Sequence, residues 1–335
     1  MTNHSPIKSV LLLGGSGFVG RHVCAKLAQA QVPVTVATRR LTHARAVQTL
    51  PLVTLAPLNV HDEVALTRCV ADHSAVVNLV AVLHGNQDAF EHAHVQLPEK
   101  IARACAAANV RRLVHVSALG AALDAPSMYQ RSKARGEAVL QSANLALTVL
   151  RPSVVFGAED QFLNLFARLQ RFLPVMPLAG ANTRFQPVWV EDLAQGIVNS
   201  LLRRTASGER LQVGSDQTFE ACGPGVFTLR QLVQLAGRLS GANAGQGRPV
   251  LALPAALAQL QATVMEMLPG APLMSRDNLA SLQVDNIATG RLPGLDALGI
   301  ATAALEAVAP GYLGAGGASG PRSNLLAMRT SAGRF

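Results

Sequence analysis

A tyrosine and a lysine four positions apart are the residues whose types and spacing best fit proton-transfer chemistry. Tyr129 and Lys133 stand at positions i and i+4, so on a helix their side chains share one face. A neighbouring ammonium group favours the phenolate, so we expect Lys133 to lower the pKa of Tyr129 and let it exchange a proton near neutral pH. Lys133 would also hold the nicotinamide ribose of a bound cofactor. Ser117 ends a predicted strand twelve residues earlier and would orient a substrate carbonyl oxygen. The alternative is a solvated helix face on which the tyrosine only packs.

A glycine-rich turn near the start of the chain predicts a second kind of chemistry. Gly14, Gly17 and Gly20 give the pattern G-x-x-G-x-x-G between an apolar run and a segment with helical spacing. Such a turn brings backbone N–H groups and the positive end of a helix against a pyrophosphate, where a side chain would block the approach. The sequence therefore predicts a dinucleotide site. Its predicted binding residues are Gly14, Ser16, Gly17, Phe18, Val19 and Gly20.

The end of the next predicted strand indicates which dinucleotide is bound. An acidic residue at this point would accept hydrogen bonds from the adenosine ribose of NAD, but the strand ends in Thr38, Arg39 and Arg40. A guanidinium group pairs well with a 2′-phosphate, so we expect NADP(H) to be favoured over NAD(H). The alternative is that Arg40 is a solvated loop charge and only Arg39 matters.

Strand order places further residues along the same cofactor. Asn59 and Val60 follow the third strand, where a side-chain amide would meet the adenine. Leu79, Val80 and Ala81 end the fourth strand, where the backbone would pass the ribose.

The elements that must position these residues alternate between strand and helix over the first 150 residues. Apolar runs predict strands at 10–13, 32–37, 53–55, 75–82, 113–116 and 147–150. Helical spacing predicts helices at 20–31, 98–109 and 131–142. This alternation predicts an α/β fold with a doubly wound, Rossmann-like parallel sheet covered on both faces.

The pattern changes after Arg151 and Pro152. We predict a dinucleotide-binding domain over 1–150 and a mixed segment over 151–313. That segment returns to the sheet at about 184–215, with a helix at 191–203 and a strand at 211–213, and adds a small C-terminal α+β substrate domain. Thr228 and Ser275 are predicted to cap helices. Residues 314–335 are rich in Gly, Ser and Arg, and we expect a flexible tail.

The charge of the chain is consistent with an anionic ligand. The formal net charge is +9, and no Asp or Glu precedes Asp62, so the segment that carries the glycine turn is basic. A nucleic-acid partner is not expected, because no basic run with interleaved aromatic residues occurs. The tail arginines Arg322, Arg329 and Arg334 leave three alternatives open: a membrane surface, a protein partner or no partner.

The remaining composition indicates a reduced protein without a metal site. The four cysteines form no C-x-x-C pair, and His84, His92 and His94 lack metal-ligand spacing, although they would border the active cleft. No apolar run is long enough for a spanning helix, and no signal peptide is recognised. We therefore expect a cytoplasmic protein, with a peripheral position at the inner membrane face as an alternative.

Several motifs together resemble the extended or atypical short-chain dehydrogenase/reductase superfamily. They are the glycine turn, Ser117, Tyr129 with Lys133, and the segments 150–157 (LRPSVVFG) and 187–194 (PVWVEDLA). Within that superfamily, residues 160–192, 274–279 and 285–286 are most similar to the nucleotide-binding accessory subunit of respiratory complex I and its bacterial relatives.

The resemblance implies a Rossmann-like sheet, a bound NADP(H) and a smaller domain over the nicotinamide. It also adds Pro152 and Val154 to the expected cofactor-binding residues. The interval between Ser117 and Tyr129 is shorter than in the sugar-modifying members, which puts their catalytic geometry in doubt.

Three hypotheses follow. The first is an NADP-dependent oxidoreductase that acts on a small or apolar carbonyl or hydroxyl substrate of unknown identity. The second is a non-catalytic, NADPH-holding accessory or assembly protein that associates with a respiratory complex. The third is a sugar-nucleotide epimerase or dehydratase.

Overall fold

The computed structural model describes residues 7–204, 217–267 and 274–314, and these form two compact units. The first unit comprises Met1–Pro152, Val190–Ala221 and Thr289–Ala301, and the second comprises Ser153–Trp189, Cys222–Ala288 and Thr302–Phe335. Each unit is therefore assembled from three separate stretches of chain.

The elements are numbered along the whole chain. The strands are β1 (Val10–Leu13), β2 (Val34–Thr38), β3 (Val53–Pro57), β4 (Ala75–Asn78), β5 (Arg112–Val116), β6 (Ala146–Pro152), β7 (Val155–Phe156), β8 (Met176–Leu178), β9 (Arg184–Phe185), β10 (Val188–Trp189), β11 (Gln217–Ala221), β12 (Phe227–Thr228) and β13 (Val250–Ala252). The helices are α1 (Phe18–Gln29), α2 (Arg45–Gln48), α3 (Glu63–Ala71), α4 (Gln87–Glu91), α5 (Leu97–Ala107), α6 (Met128–Gln141), α7 (Leu163–Phe172), α8 (Val190–Leu202), α9 (Leu229–Leu239), α10 (Ala255–Met267), α11 (Arg276–Ser281), α12 (Leu305–Val308) and α13 (Pro310–Leu313). A single π-helical turn, His92–Gln96, separates α4 from α5.

The first unit is built on a seven-stranded sheet in the order β11-β6-β5-β4-β1-β2-β3, in which every neighbouring pair is parallel. The interior strand β1 is buried at all four positions, and Leu12 pairs with Val36 of β2 and Val77 of β4. A parallel strand with both faces covered needs such a continuous apolar run. The predicted doubly wound, Rossmann-like sheet is confirmed.

Helices flank this sheet. Leu66 of α3, Ile101 of α5 and Leu140 of α6 pack into one core with strand residues such as Leu11 and Val76. Helices α1 and α8 pack against each other, although they are far apart in the chain.

The contact between α1 and α8 includes a half-buried ionic link. Glu191 Oε1 lies 2.6 Å from His22 Nδ1, and its Oε2 lies 3.0 Å from Lys26 Nζ. These two partners lower the pKa of Glu191 to about 2. The returning helix α8 is thereby fixed to the helix that follows the glycine turn.

One edge strand of the sheet is β11, which the sequence does not predict. The strand predicted at 211–213 lies outside the described residues, and β11 at Gln217–Ala221 pairs with β6. Its sequence is polar, but Glu220 is buried and its carboxylate accepts hydrogen bonds from the Thr289 N–H and hydroxyl, both at 2.8 Å. Because Thr289 satisfies the buried carboxylate of Glu220, β11 can form a buried strand without the usual continuous apolar run.

The second unit is smaller and mixes short strand pairs with helices. Strands β7 and β10 pair in parallel, β8 and β13 in parallel, and β9 and β12 antiparallel. Its core includes Phe156, Leu163 and Leu232, and the buried Asp160 accepts a hydrogen bond from the Tyr312 hydroxyl at 3.0 Å. The tail predicted from residue 314 lies outside the described residues from 315 onwards.

Capping residues begin two helices of the second unit where the sequence predicts them. Thr228 accepts a hydrogen bond from the Gln231 N–H to begin α9, and Ser275 accepts one from the Asn278 N–H to begin α11. Among the described helices, none is long and apolar enough to cross a membrane.

Candidate functional site

The glycine turn joins β1 to α1 and owes its shape to the missing side chains. Gly14 has φ +83°, a conformation that favours glycine, and its carbonyl accepts a hydrogen bond from the Gly17 N–H at 3.1 Å. A Cβ atom on Gly20 would lie 2.5 Å from the Cα of Gly15 and closer still to the Gly14 carbonyl oxygen. The turn therefore holds the start of α1 against the end of β1.

The N-terminus of α1 is suited to an anion. Gly17 caps this helix without a side-chain hydrogen bond, and its first turn holds no acidic residue. The backbone N–H groups of the first turn, with the helix dipole, then favour a phosphate. Ser16 is half-buried beside Gly17, while Phe18 and Val19 begin the helix. This geometry fits a pyrophosphate at the place where the sequence predicts one.

The end of β2 presents two exposed arginines. The Thr38 hydroxyl donates to the Arg40 carbonyl at 3.0 Å, which fixes the turn that carries Arg39 and Arg40. After β3, the Asn59 side chain accepts a hydrogen bond from the His61 N–H at 3.1 Å, and Val60 packs against the core.

The end of β4 lies directly beside the glycine turn. A Cβ atom on Gly14 would approach the Leu79 carbonyl carbon to 3.1 Å and the Val80 nitrogen to 3.2 Å. The Asn78 side chain accepts from the Val80 N–H at 3.1 Å and lies 3.1 Å from His115 Nδ1. These bonds fix the path of Leu79 and Val80, which continues into the exposed Ala81.

Helix α6 carries the tyrosine and the lysine on consecutive turns. Ser127 caps this helix by accepting from the Gln130 N–H at 3.1 Å, and Tyr129 and Lys133 follow inside it. The Lys133 ammonium donates to the carbonyl of Val116 at 2.9 Å, next to Ser117. The structure therefore brings Lys133 to the end of β5, where Ser117 lies.

The Ser117 hydroxyl is buried and has no hydrogen-bond partner, although its backbone N–H donates to the Leu150 carbonyl at 2.8 Å. A buried hydroxyl without a partner is costly in a folded protein, so such groups are commonly completed by a ligand or water. This orphaned donor fits a substrate oxygen.

Burial dominates the protonation of the tyrosine and the lysine. It raises the pKa of Tyr129 to about 12 and lowers the pKa of Lys133 to about 8. The expectation of a lowered pKa for Tyr129 is therefore not met, because burial disfavours the phenolate. At neutral pH Tyr129 is a protonated phenol and Lys133 is mostly charged.

A histidine links the end of β4 to this helix. His94 Nε2 accepts from the Val82 N–H at 3.1 Å, so Nδ1 carries the proton and donates to the Ser132 hydroxyl at 2.8 Å. Ser132 in turn donates to the Tyr129 carbonyl at 2.8 Å, and the His94 ring stands edge-on to the Tyr129 ring, 5.5 Å between centroids.

Burial and the Lys133 charge lower the pKa of His94 to about 3, so it stays neutral. The sequence places His94 at the border of the cleft but indicates no role for it, because it stands in the π-helical turn, where the helical period is interrupted.

Two expected residues of the motif 150–157 fall in different units. Pro152 ends β6 in the first unit, and its carbonyl accepts from the Leu119 N–H at 2.9 Å. Val154 belongs to the second unit, where its carbonyl accepts from the Val188 N–H at 3.0 Å. Within the described ranges, no group of three or more metal-ligating side chains occurs.

Comparison with known proteins identifies the fold and the family. The model of the NAD dependent epimerase/dehydratase family matches residues 10–214. The chain is 31% identical over 302 residues to NADH dehydrogenase [ubiquinone] 1 alpha subcomplex subunit 9, mitochondrial, of Mus musculus, covering 88% of this chain and 77% of that protein.

Two solved structures share the fold at low sequence identity. The crystal structure of gox2253 matches with a TM-score of 0.67 at 18% identity, covering 98% of this chain and 99% of the other. The Thermus thermophilus UDP-glucose 4-epimerase in complex with NAD matches with a TM-score of 0.60 at 18% identity, covering 82% and 99%. The glycine turn, six of the seven sheet strands and the Tyr-Lys helix lie within residues 10–214, and the chain belongs to the NAD dependent epimerase/dehydratase family, with subunit 9 of the alpha subcomplex among its relatives.

Proposed function

We propose that this protein is an NADP(H)-dependent oxidoreductase that reduces a small or apolar carbonyl substrate. Membership of a family named for its NAD dependence supports a pyridine dinucleotide in the first unit. The preference for NADP(H) rests on Arg39 and Arg40, which are exposed at the end of β2, where an NAD-binding chain would present an acid.

The buried, unpartnered hydroxyl of Ser117 is the observation that carries the catalytic part of this proposal. Ser117 lies next in the chain to Val116, whose carbonyl accepts the hydrogen bond from Lys133. A substrate carbonyl oxygen would complete the Ser117 hydroxyl and be held toward the Tyr129–Lys133 face of α6. A hydroxyl in this position contributes to catalysis mainly by orienting the substrate.

The protonation states of Tyr129 and Lys133 fit the general acid that reduction of a carbonyl requires. When bound, NADPH supplies a hydride to the carbonyl carbon. Tyr129, a protonated phenol at neutral pH, donates its proton to the carbonyl oxygen, so that an alcohol forms and the phenolate recovers a proton from solvent. Lys133 keeps a positive charge below pH 8 and stabilises that phenolate while it lasts.

The test is NADPH oxidation by the full chain against a panel of aldehydes, ketones and quinones, with UDP-sugars as a separate arm. We expect Tyr129→Phe and Ser117→Ala to abolish turnover while they retain cofactor binding. Tyr312→Phe is the matched control, because it removes the other tyrosine hydroxyl of the chain, which is bonded to Asp160 in the second unit. Turnover that survives Tyr129→Phe contradicts the proposal.

The second candidate is an NADPH-holding accessory protein of a respiratory complex. It is favoured by the similarity to the mouse alpha subcomplex subunit along 88% of the chain. The raised pKa of Tyr129 is compatible with it too, because a phenol that does not ionise can serve binding alone.

Native mass spectrometry of the protein as isolated separates the two candidates, because it reports cofactor, copy number and partner together. Retained NADPH that does not turn over, with a co-purifying partner and no effect of Tyr129→Phe, would favour the accessory role. A free chain that turns over NADPH would favour the enzyme.

We also propose a cytoplasmic location with contact at the inner membrane face. The four cysteines, all within the described residues, are not joined in disulfides, which is consistent with a reducing compartment. Along α10 of the second unit, large apolar side chains are exposed at helical spacing: Leu257, Leu260, Val264 and Met267. Flotation of the full chain with anionic lipid vesicles tests the contact, and Leu260→Glu should abolish it.

A further inference from the structure

Four side chains that can carry positive charge gather where β2 and β3 end. We call Arg39, His61, His92 and Lys100 the cationic cluster. The His61 and His92 rings are stacked with 3.6 Å between centroids and an interplanar angle of 14°. Lys100 Nζ donates to the His61 carbonyl at 2.7 Å. Arg39 is close enough for its charge to act on His61.

The charges that act on His61 are cationic on each element that faces it. They come from Arg39 after β2, His92 of the π-helical turn and Lys100 of α5; together with burial they lower the pKa of His61 to about 4. The nearby acids of its own segment are engaged elsewhere. Asp62 accepts from the Ala65 N–H, and Glu63 pairs with Arg103 at 2.7 Å.

His61 also lacks a partner for a buried polar atom. Its Nδ1 is buried and makes no hydrogen bond. Two stacked imidazoles repel each other strongly when both are charged, so the pair holds at most one extra proton. A concentration of cations with an unsatisfied imidazole is the arrangement that a doubly charged phosphate would complete.

We propose that the cationic cluster is a phosphate subsite which binds the 2′-phosphate of NADPH and takes up a proton from solvent on the His61–His92 pair when it does so. This inference rests on the proposed NADP(H) binding and deepens it. The end of β2 is where the adenosine ribose lies in a doubly wound sheet, so the 2′-phosphate is the nearest anion of the cofactor. Its two negative charges favour the protonated form of one imidazole, and the other imidazole stays neutral.

The proposal predicts a pH dependence that separates the two dinucleotides. Uptake of about half a proton at pH 7 weakens binding about tenfold between pH 6 and pH 8. We therefore expect the affinity for NADPH to fall about tenfold over that range, while the affinity for NADH, which lacks the 2′-phosphate, changes less than about threefold.

Isothermal titration calorimetry of the full chain measures this directly. NADPH, NADH and inorganic phosphate are each titrated at pH 7 in three buffers of different ionisation enthalpy, so that the slope of the observed heat gives the protons taken up. We expect an excess of about half a proton for NADPH over NADH. His61→Gln and His92→Gln should each remove that excess and flatten the pH dependence, with NADH binding unchanged.

His43→Gln is the matched control, since His43 is an exposed histidine of the loop after β2 that lies outside the cluster. It should keep the excess uptake. His61→Gln breaks no hydrogen bond at Nδ1, so we expect this variant to remain folded. Its thermal midpoint of unfolding tests that expectation.

Equal proton uptake and equal pH slopes for NADPH and NADH would overturn the inference and leave the proposed dinucleotide binding intact. Proton-linked binding of inorganic phosphate, with no preference for NADPH, would assign the cluster to free phosphate and also overturn it. Absence of binding by either dinucleotide would overturn the proposed function itself.

Discussion

The histidines near Lys133 and those near Lys100 are held in contrasting ways. His94 is buried, and both of its ring nitrogens have partners, in the Val82 N–H and the Ser132 hydroxyl. His61 is half-buried, and its Nδ1 has no partner. Burial and a neighbouring lysine lower both pKa values, to about 3 for His94 and about 4 for His61.

A lowered histidine pKa therefore indicates different roles at the two sites. Near Lys133, the neutral His94 has a structural role, because both of its ring nitrogens form hydrogen bonds within the protein. In the cationic cluster, the neutral His61 has a ring nitrogen without a hydrogen-bond partner, and the charges that act on it are all positive. A lowered histidine pKa identifies a ligand site only where hydrogen bonds are also missing.

The largest effect is expected from Gly20→Ala, which should disrupt the glycine turn itself. The new Cβ would overlap the backbone of Gly14 and Gly15, so the glycine turn must move. We expect dinucleotide binding to fall more than about a hundredfold and the free energy of unfolding to drop by about 3 kcal/mol. Calorimetry and urea denaturation measure the two quantities.

Gly17→Ala is the control for that variant. Its Cβ would approach the Gly14 carbonyl oxygen to only 3.3 Å, and its φ of −78° suits any residue. We expect a smaller loss in both measurements. Equal losses for the two variants would show that contact with the backbone at Gly20 is not what shapes the turn.

The contrast between the two histidines should appear directly in stability. His94→Leu leaves the Val82 N–H without its acceptor and removes the hydrogen bond that the Ser132 hydroxyl accepts, so we expect the free energy of unfolding to fall by about 2–3 kcal/mol. His61→Gln should change it by less than about 0.5 kcal/mol. The comparison fails if urea denaturation gives the reverse order.

Arg39→Asp tests the contribution of the arginine in the cationic cluster. Loss of a charge-assisted bond to a 2′-phosphate should weaken NADPH by about 10- to 100-fold and leave NADH within about threefold. Arg45→Asp, at an exposed arginine of α2, makes the same change in net charge. Calorimetric affinities that fall equally for the two dinucleotides would show that Arg39 does not contact the 2′-phosphate.

The smallest effect concerns the buried lysine and pH. The folded-state pKa of Lys133 lies near 8, below its ordinary value of 10.5, so between these values the unfolded chain binds more protons than the folded chain. Stability contributed by Lys133 therefore increases as pH rises from 8 to 10, by about 1–2 kcal/mol. Denaturation at pH 8, 9 and 10 should show a shallower increase for Lys133→Met, and parallel curves would contradict the assignment.

Local sequence signals predict the sheet and the glycine turn well, because both depend on short-range patterns. Four buried apolar residues precede Gly14, and the i, i+4 spacing of Tyr129 and Lys133 suffices to place both on α6. Helix caps at Thr228 and Ser275 are equally local.

Features that depend on distant contacts could not be predicted. The sequence predicts Glu191 only as a residue at a helix start, yet its carboxylate binds His22 and Lys26 of α1, which are far from it in the chain. Glu220 makes β11 look too polar for a strand until Thr289 satisfies it. The direction of the Tyr129 pKa shift depends on burial, which spacing in the sequence does not report.

The π-helical turn at His92–Gln96 carries a consequence for insertions and deletions. Such a turn holds one residue more than the α-helical turn it replaces. Deleting one residue here would restore an unbroken α-helix and rotate the side chains before it by about 100° relative to α5. His92 would then leave the ring of His61, and His94 would leave Ser132. The extra residue of this turn thus allows His92 to contact His61 while His94, two positions later, contacts Ser132.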